Sequence, residues 1–179
     1  FRSIATHRNG SVNCAAQLAL TEIYNREASD DLDGASTYSL MQEFYEKESL
    51  IYSVISKKSL EVIQGVFEVK DIPGGSFYAL IKLRPEYKEK FIKKGITTGL
   101  EVAEYILQET MSVHGVGIPL LPISGFGGRD DDFSFRIVLK HCDDYRAAFD
   151  SDPNSDGWYE EHCSLLKKGL EGLLEVVKK

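Results

Sequence analysis

A chain of 179 residues with 42% hydrophobic and 27% charged side chains is long enough for one domain with a sizeable core, and these proportions exclude wholesale disorder and a fibrous architecture. A net charge of −7 and a pI near 5.2, with no basic stripe interleaved with aromatics, exclude the electrostatic footprint of a nucleic-acid binder. No apolar run approaches the roughly 18 residues that a membrane helix needs, and the N-terminus has no apolar signal core, so the sequence reads as soluble and cytoplasmic with no membrane partner.

Residues 1–11 hold Arg2, Arg8, Asn9, Gly10 and Ser11 without periodicity and read as an irregular opening segment. Val12, Ala15, Ala16, Ala19, Ile23 and Tyr24 then repeat at three and four residues, which predicts a helix ending before Asp30. Asp30, Asp31, Asp33 and Gly34 break the pattern, and Ser36 or Thr37 can cap a longer helix. In it Leu40, Phe44, Ile51, Ile55 and Val62 recur in nearly heptad steps, one buried side over about seven turns. A coiled-coil seam is the alternative, weakened by the scattered Ser and Tyr.

Pro73-Gly74-Gly75 precedes a strand over Ser76–Leu83 in which Phe77, Ala79, Ile81 and Leu83 alternate with Tyr78, Leu80 and Lys82. Residues 84–96, rich in lysine and glutamate, read as a solvated connection or short helix. Thr98 and Glu101 have capping-box spacing ahead of a third helix that ends near His114-Gly115. Val116–Pro122 and Phe133–Lys140 are the next strands, and Tyr159–Lys179 is a terminal helix with Leu166, Leu170, Leu173 and Leu174 on one side. This order predicts the α/β class, an α+β sandwich of a small mixed sheet with helices packed largely on one face, without an internal cut point.

The second half of the chain carries the chemistry. Period-2 alternation puts Phe133, Phe135, Ile137 and Leu139 on one face of their strand, leaving Ser134, Arg136 and Val138 on the other. A guanidinium at mid-strand cannot discharge, so it reaches solvent or meets an anion, and its planar fork suits a carboxylate. The plain alternative is an ion pair with Asp130, Asp131 or Asp132. Gly125, Gly127 and Gly128 could cradle a phosphate, yet the turn runs into three aspartates rather than a helix N-terminus, so a tight turn or a backbone wall for a ligand is the better reading. Asp150, Asp152, Asn154, Asp156 and Glu161 mimic a calcium loop, but Ser155 stands where that loop needs glycine; a solvated loop capping the terminal helix fits better. Cys14, Cys142 and Cys163 are too few and too widely spaced for a disulfide framework, and His141-Cys142 and His162-Cys163 lack zinc-site spacing. No metal is expected.

Pro73-Gly74-Gly75-Ser76-Phe77-Tyr78, Leu121-Pro122-Ile123-Ser124-Gly125-Phe126-Gly127 and Phe135-Arg136, in this order and at these gaps, resemble the C-terminal half of fold-type I, pyridoxal-phosphate-dependent aminotransferases. The resemblance covers nearly the whole chain. It implies that residues 1–179 form the small domain of such an enzyme, with 1–35 as the connection and helix from a large domain. It also implies that Arg136 binds the substrate α-carboxylate, that Ser124 and Gly125 line that site, and that Asn9 lies near the cofactor. Within the family the chain is most similar to the alanine aminotransferases; Ile123 stands where glycine is common there, which keeps aspartate and aromatic aminotransferases as alternatives.

The implied function is transfer of an amino group between an amino acid and a 2-oxo acid by a homodimer, with pyridoxal 5'-phosphate held mainly by the large domain. No residue of this chain is then expected to be catalytic. Lys57, Lys58, Lys93 and Lys94 have no setting that would make a Schiff-base amine. Alone, the chain, which starts at Phe1, is expected to be inactive. A non-catalytic interaction domain that kept the fold, or another enzyme using the same cofactor, are the other readings.

Overall fold

The computed structural model describes residues 37–69, 78–139 and 142–179, with side chains from Gln42 onward. The expected helix over Val12–Tyr24, Asn9, Cys14, the Pro73-Gly74-Gly75 turn and His141 lie outside the described residues. Contacts divide the chain into two units, Phe1–Glu46 and Lys47–Lys179. In the first, the described part is the opening of helix α1 (Thr37–Ile63), where Phe44 and Tyr45 meet edge to face at 5.8 Å.

The second unit is an α+β layer structure. After α1 come β1 (Phe67–Val69), β2 (Tyr78–Leu83), α2 (Pro85–Lys93), α3 (Gly99–His114), β3 (Leu120–Pro122), two short 3-10 turns, β4 (Ser134–Val138), α4 (Tyr145–Asp150), α5 (Trp158–His162) and α6 (Ser164–Lys178). The strands lie in the order β1-β2-β4-β3 and every bonded pair is antiparallel, in contrast to the mixed sheet that the element order predicts. The physical reason is insertion. β2 and β3 share a direction and are joined through α2 and α3, but β4 enters between them, so the pair that a helical crossover would set side by side never meets.

Alternation decides the two faces of the sheet. Ala79, Ile81 and Leu83 of β2, Phe135 and Ile137 of β4 and Leu120 of β3 are buried in the core with residues of α1, α3 and α6. Tyr78, Leu80, Lys82, Ser134, Arg136, Val138 and Leu121 take the other face. The helices therefore cover one side of the sheet, in agreement with the alternation.

The stripe on α1 is not the one predicted from its apolar residues. Ile51 and Ile55 are buried, but Phe44 is 42% exposed and Val62 only half-buried, while Tyr52, Ser56, Ser59, Leu60 and Ile63 complete the buried side. A reading by hydrophobicity passes over serines, yet small hydroxyls bury well when bonded. Ser59 is paired with the Tyr159 hydroxyl at 2.9 Å. Burial pushes the Tyr159 phenol up to about 12, partly offset by the Ser59 bond, so it stays neutral in that pairing.

Local signals fix helix α3. Its N-terminus is a capping box: the Glu101 amide donates to Thr98 Oγ1 at 3.3 Å and Glu101 Oε2 accepts the Thr98 amide at 2.9 Å. Backbone donors, Thr97 first, hold the Glu101 carboxyl below the usual carboxylate range. Gly115 closes the helix at φ 68°. Thr98→Ala should lower stability by about 1 kcal/mol, read as a shift in urea midpoint with an unchanged slope.

The predicted single terminal helix is two helices, broken at Cys163 (φ −128°, ψ 33°). Residues 159–166 hold no glycine or proline to announce this break, because it is made from elsewhere. The Asp143 carboxylate accepts the Ser164 amide at 2.8 Å and the Leu165 amide at 3.2 Å, and so caps α6 from across the fold. The acidic loop expected to cap the terminal helix does not do so by a side chain: Gly157, at φ 85°, is the N-cap of α5. Asp152 instead accepts the Asn154 amide at 2.9 Å within its own turn.

Helices α3 and α6 approach closely at Gly172. A Cβ on Gly172 would lie 2.7 Å from His114 Cδ2 and 2.9 Å from Thr110 Cγ2. Gly172→Ala should therefore destabilise by about 1–3 kcal/mol despite alanine's better helix propensity, and a stabilised variant in a thermal melt would refute the close packing.

Candidate functional site on the open sheet face

The site is built from the middle strand outward. Arg136 stands opposite Leu80 of β2 and Leu121 of β3, so its side chain rises from the centre of the uncovered face. That face is apolar for a surface: Leu80 is 52% exposed, and Tyr78 and Leu121 are also open. The Arg136 guanidinium carbon lies 4.5 Å from the Tyr78 ring centroid and 4.4 Å from that of Phe126. Two rings thus hold a cation whose orientation would otherwise vary over many rotamers.

Two of the three expected aspartate partners, Asp131 and Asp132, are engaged elsewhere. Asp131 takes Arg129 through two bonds at 2.9 and 2.8 Å, and Asp132 takes Lys82 at 2.5 Å and Ser134 at 2.6 Å. Those bonds, that from Lys82 first, hold the Asp132 carboxyl below the usual range. Among the described residues no carboxylate pairs with Arg136, and its buried Nε has no hydrogen-bond partner. The plain ion-pair reading of Arg136 therefore fails: the acidic turn neutralises Arg129 and Lys82 and leaves the strand arginine without a carboxylate partner among the described residues.

The Gly-rich turn forms one rim. Ile123–Phe126 make a 3-10 turn closed by Gly127 at φ 90°, and a Cβ on Gly128 would lie 2.3 Å from Ile123 Cγ2. The fold needs glycine at 127 and 128. It does not need it at Gly125, where a Cβ would meet nothing within 4 Å. Ser124 and Gly125 sit in the same turn as Phe126, and so on the rim of the arginine site, with Gly125 exposed. Along the face from Arg136, a cleft of about 130 Å³ is lined by Leu80, Ile123, Lys82, Asp132 and Ser134.

Phe133 sets the register. It is buried at φ 49°, a left-handed conformation unusual for an aromatic, and its carbonyl accepts the Leu83 amide at 3.0 Å. Lys88 lies over its ring at 5.0 Å. From this residue β4 starts in the phase that turns Phe135 inward and Arg136 outward; a slip of one residue would reverse both.

Of the predicted site residues, the structure brings Arg136 together with the Ser124-Gly125 turn, while Asn9 lies outside the described residues. Sequence reasoning misses the ring pair. Alternation places Tyr78 opposite in facing to Ala79, but the β2–β4 pairing that carries it to Arg136 has no local signal. No described lysine is buried; Lys57, Lys58, Lys93 and Lys94 are all exposed. The described residues therefore do not fit the covalent seat of pyridoxal phosphate, which requires a desolvated amine. Among the described residues no group of three His, Cys, Asp or Glu could hold a metal ion, and no helix is long and apolar enough to cross a membrane. No family model, no curated protein and no solved structure matches the chain.

Proposed function

We propose that this α+β domain recognises the α-carboxylate of an amino acid or 2-oxo acid through Arg136, as the small domain of a pyridoxal-phosphate-dependent aminotransferase, alanine-type in its motifs. The observation that carries the reading is the guanidinium of Arg136, without a carboxylate partner among the described residues and held between Tyr78 and Phe126 on an open sheet face. A carboxylate docking there gains two charge-assisted bonds from a fork whose orientation is already restricted. The apolar floor around Leu80 and Leu121 lowers the local dielectric and strengthens that attraction.

Pyridoxal phosphate would supply the electron sink for amino-group transfer, and the reading places its lysine on a companion domain, in a homodimeric enzyme of the cytoplasm. This chain's own contribution is binding and orientation: Arg136 fixes the carboxylate, the Ser124-Gly125 turn bounds it, and the aromatic rings exclude water from the ion pair. On this chain alone the test is NMR titration with alanine and pyruvate. Shifts centred on Arg136, Tyr78 and Phe126 that saturate with both acids, and vanish with the corresponding amides, are expected. In the protein from the complete reading frame, borohydride reduction should leave a pyridoxyl group on one lysine outside the described residues.

The exposed Leu80 and Phe126, 52% and 57% accessible, favour one rival: a non-catalytic domain that uses this face to bind a protein. It would show no carboxylate-dependent shifts and no reducible chromophore.

A further inference from the structure

Away from the sheet face, the segment after β4 meets the α5–α6 junction through a backbone clamp. The Asp143 amide donates to the His162 carbonyl at 2.7 Å, while the Asp143 carboxylate holds the amides of Ser164 and Leu165. The residues on either side of this clamp, Cys142 before Asp143 and Cys163 after His162, are both free thiols. The Asp143–His162 bond brings the two residues next to each other, and they differ in access: Cys142 is half-buried against the core and Cys163 is fully buried.

We propose that Cys142 and Cys163 form a redox-modification site, in which the accessible thiol takes up a low-molecular-weight disulfide and the buried one resolves the adduct into an intramolecular disulfide. In the first step the Cys142 sulfur, as thiolate, attacks one sulfur of the small disulfide; that S–S bond breaks and one small thiol leaves. In the second, Cys163 loses its proton and attacks the Cys142 sulfur, and the second small thiol departs with a proton. Two protein thiols are oxidised and one small disulfide is reduced to two thiols.

The local chemistry assigns the roles. The neighbouring Cys163 side chain draws the Cys142 thiol down, and the neighbouring Cys142, with burial, pushes Cys163 up. Once Cys142 carries a mixed disulfide, its negative charge no longer opposes ionisation of Cys163. The Asp143 clamp keeps the two chain segments together throughout, as disulfide closure requires of the backbone. This inference is independent of the carboxylate site.

The test is to incubate the full chain with oxidised glutathione, quench with acid and an alkylating agent, and map peptides without reduction. Free thiols should fall from three to one, with a peptide linking Cys142 to Cys163. Cys163→Ser, or Cys163→Ala if serine prevents folding, should stop at one glutathione on Cys142. Cys142→Ser should leave Cys163 unmodified in the native protein. A glutathione adduct that persists on Cys142 in the unsubstituted chain, a link from Cys142 to Cys14, or no loss of thiols would overturn the proposal.

Discussion

On the proposed aminotransferase reading, Arg136→Lys in the protein from the complete reading frame should lower kcat/KM for an amino-acid donor by about 100-fold, equivalent to about 2.7 kcal/mol of lost binding in the transition state. Lysine keeps the charge but loses the fork and the flat surface that rests between Tyr78 and Phe126. The ammonium would retain one bond to the carboxylate and sample several rotamers, so on that reading KM should rise while the visible spectrum of the proposed pyridoxal cofactor stays unchanged. Phe126→Leu should give a smaller effect of the same kind, about fivefold, since one cation–π contact contributes about 1 kcal/mol. Steady-state kinetics with an amino-acid donor and its amide separate the cases; equal KM for the two donors in both proteins would remove Arg136 from carboxylate recognition. Folding stability should change by no more than about 1 kcal/mol, because the residue stands on the open face.

One residue earlier the expectation reverses. Phe135→Ala should destabilise the domain by about 3–5 kcal/mol, a large fraction of the stability of any domain of this size. Phe135 is fully buried, meets Phe67 edge to face at 6.5 Å, and would leave a cavity beneath the centre of the sheet. Its backbone pairs with Ile81 on one side and Pro122 on the other, so no neighbouring strand can slide in to fill the space. Urea unfolding followed by tryptophan fluorescence gives the difference directly, since Trp158 is buried in the same core. A loss below about 1 kcal/mol would mean that the inner face of β4 is not packed as described.

The opposite outcomes at these adjacent positions are legible in the amino-acid sequence, because strand alternation is a local property of the chain. The same holds for the Thr98–Glu101 capping box and the Gly115 terminus of α3, whose bonds close within a few residues. The misses share a different character. Hydrophobicity misreads the buried side of α1 because Ser56 and Ser59 go inside, and the partner that Ser59 meets there, Tyr159, stands far along the chain. Periodicity runs the terminal helix through Cys163 because the cap that breaks it, Asp143, belongs to another segment. β1 and α4 are short, and the first exists only because β2 lies alongside it.

By itself, then, the sequence determined where most helices and strands lie, which strand face is apolar, and that an arginine stands mid-strand on the other face. The tertiary structure decided the order of the strands, the antiparallel insertion of β4 between β2 and β3, and the placing of Tyr78 and Phe126 around Arg136. It also decided that Asp131 and Asp132 are spent on Arg129 and Lys82. The reason is range: alternation and capping are set by neighbours a few residues apart, whereas charge pairing and ring placement depend on groups that only the folded chain brings within bonding distance.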